Sequence, residues 1–281
     1  MPSSVIARRA LLGSGLVLAL GAFRSGEGLF APSAEPWDRW ATHNPDSTAT
    51  VDHGPWDAFL DANLIVGADG INRIAYGRVV DRATLDRYLD ALADTAIDTL
   101  ARSEQLVFWI NLYNALTVRV VLDHYPVASI RDIDIATGLF GDGPWDARLI
   151  AVAGQDLTLN DIEHRILRPL WRDARVHYAV NCAALGCPNL AATAYRGATA
   201  EAMLKDGART YINHPRGVAV NGEAVTVSRI YDWYIEDFGG DEAGVIAHLT
   251  RYAAPDMAGR LEAIGRLAGT AYDWALSDAA A

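Results

Sequence analysis

The densest chemistry in this chain lies in the run VHYAVNCAALGCP, residues 176–188. It holds the chain's two cysteines, Cys182 and Cys187, with His177 and Asn181 just before them. Two sulfurs in C-x4-C spacing admit four chemistries. The intervening AALG allows a loop whose Cα atoms approach to the roughly 5.5 Å of a disulfide. A thiolate nucleophile would instead need a histidine or a helix N-terminus to favour loss of its proton near neutral pH. A metal site on His177, Cys182 and Cys187 would need a fourth ligand and follows no standard zinc spacing. Two buried free thiols, packed as small apolar groups, complete the set.

The histidine decides how a nucleophile would work. Residues 175–180 alternate like a strand, which sets His177 about 16 Å from Cys182 and on the opposite face, at ~3.3 Å per residue. Asn181 would share the His177 face and orient its imidazole or hold substrate. Cys187 has more freedom, because AALG can turn the chain back toward His177, and it is the preferred nucleophile. His164 is the alternative base, next to Glu163. Successive helix positions point about 100° apart, so these two should not line one pocket together. Glu163 also fits as the capping-box partner of Asn160.

Asn111 and Asn114 lie three apart on an otherwise apolar and aromatic helix. A buried amide left unpaired costs about 1–3 kcal/mol. They therefore either bond neighbouring loops or line a cleft, for which Trp109 and Tyr113 would form an aromatic wall. Asp232, Glu236 and Asp237 crowd acid onto one short helix and require a cation nearby. Asp237, near the helix end, opposes the dipole and so predicts a specific tertiary partner such as a histidine.

The elements that must position these groups read as mixed α and β, without repeats. Residues 56–64 read as a helix docking through Trp56, Phe59 and Leu60, and 74–80 as a strand. The stripe Leu85, Tyr88, Leu89, Leu92 and Ile97 predicts a helix over 81–100. Ser103 is expected to cap a second helix, which Pro126 stops. A third runs from Asn160 to Leu167, ended by Pro169, and Thr199 begins a fourth. Residues 218–227 form a hairpin turning at Asn221-Gly222 in type I′ geometry. Ser228 caps a further helix, closed by Gly239 and Gly240. The acidic, glycine-rich stretch 138–146 is expected to be a flap over a site.

Composition bounds the rest. The chain has 281 residues, 51% of them apolar, and a net charge of −11. That acidity disfavours binding to nucleic acid or to anionic membranes. No phosphate loop, H-E-x-x-H or G-x-S-x-G occurs, which leaves kinase, zincin and serine-hydrolase readings without support. Residues 1–35 read as a signal peptide and linker: Arg8 and Arg9 precede a short apolar core, in Sec or loosely twin-arginine style. No later segment is expected to span a bilayer. A periplasmic or secreted protein follows, in a compartment that permits disulfides.

FWINLYNAL (108–116), LTLNDIEHRILRP (157–169), VHYAVNCAALGCP, IYDWYIEDFGG (230–240) and YDWAL (272–276), in this order, resemble the bacterial, exported form of the domain of unknown function 547 family. The resemblance runs over about residues 56–276. It departs at Ala183, where such proteins usually carry glycine, and at Gly186, where they carry serine. It implies a fold distantly related to papain-like and transglutaminase-like thiol enzymes.

The expected fold is α+β, a single domain over 36–281 with helices packed on a small, mainly antiparallel sheet. No cofactor or metal is expected, and the partner would be a peptide or small-molecule substrate. The leading function is a cysteine-dependent hydrolase or acyl transferase acting on amide bonds of peptides or small thiol peptides. In it Cys187, or Cys182, attacks the carbonyl, His177 relays the proton, Asn181 or Asp237 orients the imidazole and Asn114 steadies the oxyanion. Asn111, Trp109, Tyr113 and Glu163 would face the substrate. The alternative is a non-catalytic binding domain stapled by a Cys182–Cys187 disulfide. An exchangeable redox pair is a third reading, against which the departure from C-x-x-C counts.

Overall fold

The computed structural model describes residues 32–136 and 143–279. The residues of the expected leader up to 31, and most of the expected flap, lie outside these. The first half begins with helix α1 (Gly54–Asn63), which carries proline in its first turn, where the missing N–H is harmless. A short hairpin follows, β1 (Leu64–Val66) against β2 (Asn72–Ile74). The expected strand over 74–80 ends at Ile74, and residues 76–78 form a 3₁₀ turn instead. Helix α2 (Arg82–Ala93) buries the predicted stripe Leu85, Tyr88, Leu89 and Leu92, then breaks, so that Ile97 sits on a separate turn.

Helix α3 (Arg102–His124) is the axis of the larger core. Ser103 lies inside it rather than capping it; Ala101 holds the cap position. By length and composition this helix could cross a membrane, contrary to the reading above. Its apolar surface is instead covered by the rest of the domain, 89% of the relevant window being buried.

Strands β3 (Ile150–Val152) and β4 (Gln155–Leu157) form a second hairpin. Its turn residues Ala153 and Gly154 both take positive φ, the geometry of a type I′ turn. The helix that follows is capped two residues earlier than expected. Thr158 and Asp161 exchange bonds, Oγ1 accepting from the Asp161 N–H and Oδ2 from the Thr158 N–H. This reciprocal cap leaves Glu163 free of the capping role assigned to it. Residues Asp161–Leu167 form a π turn that runs on into α4 (Arg168–Trp171). Pro169 does not end the helix, since it sits in the first turn of α4.

Residues 175–180 are not a strand. Ala174–Tyr178 wind into a 3₁₀ turn. Helix α5 (Ala200–Ile212) then leads into β5 (Val218–Asn221) and β6 (Ala224–Ser228). Their turn is Gly222-Glu223, one residue later than predicted, with Gly222 alone at positive φ as in type II′. Helices α6 (Ile230–Trp233), α7 (Glu242–Tyr252) and α8 (Pro255–Ile264) precede β7 (Gly269–Ala271), which pairs parallel to β6. The acidic residues 232–237 therefore do not share one helix: α6 ends at Trp233, and Ile235–Phe238 form a 3₁₀ turn.

The class is α+β, but the sheet is divided among the described residues into two two-stranded hairpins and one three-stranded unit. The three-stranded unit and α5–α8 enclose a second core around Tyr178, Tyr211, Tyr231 and Phe238. The 174–188 segment lies between the two cores and contributes to both.

Candidate functional site

A cleft of about 350 Å³ opens at this junction, within the ordinary range for small-ligand sites. Its aromatic wall is Tyr113, Trp145, Trp233, Tyr234, Tyr272 and Trp274, and its polar lining includes Glu163, His164, His177, Arg131 and both cysteines. Trp233, Tyr272 and Trp274 contact one another at ring-centroid distances of 4.7–5.6 Å. Trp145 meets Trp274 edge-on, and the Arg131 guanidinium lies 5.1 Å from the centroid of Trp274.

Cys182 and Cys187 are joined as a disulfide with Cα atoms 6.1 Å apart. In this covalent state neither sulfur is a thiolate, so neither acts as the nucleophile expected above. Tyr272 Oη lies 3.1 Å from both sulfurs, and the Cys182 N–H donates to Cys187 Sγ at 3.0 Å. The loop between them takes a left-handed turn at Ala183, φ +60°. That conformation is the physical reason for a glycine there.

Gly186 pairs with the last segment of the chain, its N–H donating to Asp273 O at 2.8 Å. A Cβ at Gly186 would meet Asp273 N at 2.8 Å and Asp273 O at 2.9 Å, both backbone. The serine expected from family resemblance does not fit this chain unless the 272–274 segment moves. Gly186→Ser is therefore expected to destabilise by about 1–3 kcal/mol, the usual cost of overpacking. Urea denaturation checks this; an unchanged midpoint would show that the segment yields freely.

His177 sits on the 3₁₀ turn, 3% exposed, with its ring stacked on Tyr234 at 4.4 Å and 10°. Its Nε2 faces Asp237 Oδ2 at 2.7 Å and its Nδ1 faces Glu163 Oε1 at 3.5 Å. Arg168 donates through Nε to the same Asp237 oxygen at 2.6 Å, and its guanidinium lies 4.7 Å from the Tyr234 ring centroid. A second Arg168 nitrogen reaches Pro32 O at 2.7 Å and His164 Nδ1 at 3.0 Å. Two carboxylates thus meet one guanidinium and one imidazole in a quartet that is buried except for the partly exposed Asp237.

The protonation states follow. Burial lowers the affinity of His177 for a proton, but its bonds to Asp237 and Glu163 outweigh that and raise its pKa. Burial works against ionisation of Asp237 too, yet His177 and Arg168 hold its pKa at about 2. Glu163 is held equally low against its burial by the neighbouring imidazoles and Arg168. His164 goes the other way: burial, aided by Arg168, brings it to about 4. At neutral pH His164 is uncharged, and the ionised Glu163 and Asp237 face the Arg168 guanidinium and the His177 ring, whose protonated form they favour. With a carboxylate on each side, the His177 ring has no nitrogen free to accept a proton.

The π turn explains a departure from expectation. Glu163 and His164 do line one cleft, because an i→i+5 turn is wider than an α turn and brings successive side chains closer in direction. Asn181 does not reach the His177 ring. Its amide braces the cysteine loop, donating to Pro188 O and accepting from the Ala183 N–H.

Asn111 and Asn114 are likewise structural. Asn111 clamps Tyr195 through its N–H and C=O. Asn114 donates to Ala179 O and accepts from the Asn181 N–H at 2.8 Å each; it is 2% exposed and does not line the cleft, so it is not placed to meet an oxyanion. Trp109 packs on Trp40 and Phe108 in the larger core, away from the cleft. Of the residues expected on the substrate side, Tyr113 and Glu163 line the cleft.

Sequence reasoning missed Arg168, Tyr234, Tyr272 and the three tryptophans. All but Trp145 lie in LTLNDIEHRILRP, IYDWYIEDFGG and YDWAL, where charged residues sit among apolar or aromatic ones too densely for ordinary surface.

These features define an α+β domain with an aromatic cleft walled by a disulfide and lined by Glu163 and His177, which Asp237 and Arg168 back. Over residues 97–212 the chain is similar to the family described as "Protein of unknown function, DUF547". No curated protein and no solved structure matches the chain.

Proposed function

We propose that this chain is a ligand-binding domain whose cleft takes up a peptide or small molecule, with the Cys182–Cys187 disulfide as part of its wall. The observation that carries this reading is the pairing of sulfur with sulfur and of His177 with two carboxylates beside an open aromatic cavity. Aromatic faces supply large contact area at low entropic cost, and Arg131 at the wall offers one cation to an acidic group on the ligand. An exported location, proposed from the leader, suits the disulfide.

A second reading keeps the thiol hydrolase of papain-like or transglutaminase-like descent. It draws on a cysteine loop and a histidine–aspartate pair facing one cleft. It requires reduced sulfurs and release of His177 from a carboxylate.

Titration of native protein with a panel of short peptides, followed by tryptophan emission, separates the two. Binding predicts a saturable emission change with at least one peptide. Trp233→Ala should abolish it while leaving the thermal melt of the fold within a few degrees. Cleavage of a peptide amide bond that disappears in Cys187→Ser would replace the binding reading with the hydrolase.

A further inference from the structure

The disulfide forms part of the cavity wall. Both sulfurs border the cavity, yet they are not equivalent: Cys182 is half-buried, whereas Cys187 is 3% exposed. The donors are unequal too. Cys187 Sγ receives the Cys182 N–H and lies beside Tyr272 Oη, while Cys182 Sγ has the Tyr272 hydroxyl alone. In thiol–disulfide exchange the incoming thiolate needs access to one sulfur, and the other leaves faster when its negative charge is stabilised. The accessible sulfur here is Cys182, and the better-stabilised leaving group is Cys187.

We propose that the cleft exchanges its disulfide with a thiol-bearing ligand, a small thiol or a cysteine-containing peptide, with Cys182 as the attacked sulfur. The ligand thiol first loses its proton to solvent. Its thiolate bonds to Cys182 Sγ, the Cys182–Cys187 bond breaks, and the electron pair departs on Cys187 Sγ, held by the Cys182 N–H and the Tyr272 hydroxyl. A second ligand thiolate then attacks the ligand sulfur of the mixed disulfide. That step releases the oxidised ligand as its disulfide and leaves Cys182 reduced. Two thiols are oxidised and one protein disulfide is reduced; both protein thiolates take their protons from solvent.

The loop that would be freed is tied to the cleft by backbone bonds. Leu185 N donates to Ala275 O, Gly186 N to Asp273 O, and Ser277 N to Ala183 O. Tyr272 and Trp274, on the same stretch, are cavity walls. Exchange would therefore be reported by tryptophan emission. The proposal rests on the reading of the cleft as a ligand site but fails separately from it.

The test uses glutathione as the probe and the full chain. The rate of disulfide opening is followed by acid quench and intact mass, in native protein and in protein unfolded in guanidinium. The expected result is native opening at least as fast as unfolded opening, with the mixed-disulfide adduct mapped to Cys182. Tyr272→Phe should slow native opening about ten-fold, as fits loss of a hydrogen bond to a charged group, without changing the unfolded rate. A native disulfide that resists glutathione while the unfolded one opens, or an adduct on Cys187, overturns the proposal. S-methylglutathione, which cannot exchange, isolates binding. If it alters tryptophan emission saturably while glutathione opens nothing in the native state, exchange is refuted and the binding reading stands.

Discussion

Replacing Arg168 with alanine is expected to destabilise the domain by about 3–5 kcal/mol, the range for stripping one partner from a buried ion pair. The Arg168 side chain is 2% exposed and joins Asp237, His164, Pro32 and the face of Tyr234. Its removal leaves two carboxylates sharing one imidazole. At roughly 2–4 °C per kcal/mol for a domain of this size, the melting temperature should drop by about 10 °C. Arg168→Lys should rescue little, because an ammonium lacks the planar fork that meets Asp237 and Tyr234 together. The double variant Arg168→Ala/Asp237→Ala should lose less than the sum of the singles, since the charge stranded by one change is removed by the other. A single-variant loss below about 1 kcal/mol, the scale of an exposed pair, would mean that the quartet is solvated and not a buried unit.

The second large effect is acid sensitivity. His53, His164 and His248 each have a folded pKa of about 4, chiefly because burial disfavours their charged form. As pH falls below the ordinary histidine value of about 6.5, the unfolded chain takes up these protons first. Stability present above that value is lost down to about 4. A tenfold difference in proton affinity between the folded and unfolded chain is worth about 1.4 kcal/mol, so the three imidazoles together remove on the order of 5 kcal/mol or more.

His177 has the opposite sign. Its folded pKa is raised, so its contribution is complete below about 6.5 and is lost as pH rises through the folded value. Glu163 and Asp237, at about 2, contribute above the ordinary carboxylate range near 4 and lose that contribution only as pH falls toward 2. Urea midpoints measured from pH 8 to 4 should therefore fall steeply between 6.5 and 4. His53→Gln should flatten part of that slope, its partner being the Tyr88 hydroxyl. A level profile across this interval would show that the three imidazoles exchange protons with solvent in the folded state.

How much of this was legible in the sequence depends on whether periodicity or tertiary context set the outcome. The stripe of Leu85, Tyr88, Leu89 and Leu92 predicts α2, and the helix expected between Ser103 and Pro126 is α3; both form there. The hairpin at 218–227 was legible for the same reason, with its turn displaced by one residue. The segment 175–180 misled because V-H-Y-A-V alternates in polarity while both of its faces are covered. Val176, His177, Tyr178 and Val180 are all buried, so the alternation carried no information about strand geometry.

The site was half legible. C-x4-C marked the place and left the disulfide among four possibilities. A tertiary histidine partner for Asp237 could be argued from an unfavourable helix position, although that helix turned out to be two separate turns. The amides of Asn111, Asn114 and Asn181 could not be assigned from sequence. Whether a buried amide faces a loop or a cleft depends on which backbone arrives opposite it, and here Tyr195, Ala179 and Pro188 arrive. Arg168 escaped notice because its partner lies 69 positions away.

The arrangement of the last wall has a consequence for how the protein is made. Residues 97–212 supply the cysteine loop, Glu163, His164 and His177, but Trp233, Tyr234, Asp237, Tyr272 and Trp274 all follow them. A growing chain therefore carries Cys182 and Cys187 out of the ribosome, or through a translocon, well before Tyr272 arrives to shield them. During that interval the thiols are open to any oxidant or chaperone they meet. Emergence of the final segment, pinned by its bonds to Ala183, Leu185 and Gly186, closes the interval. The cleft is thus completed only after residues 272–277 emerge, so the order of synthesis leaves an interval between the appearance of its sulfurs and their enclosure.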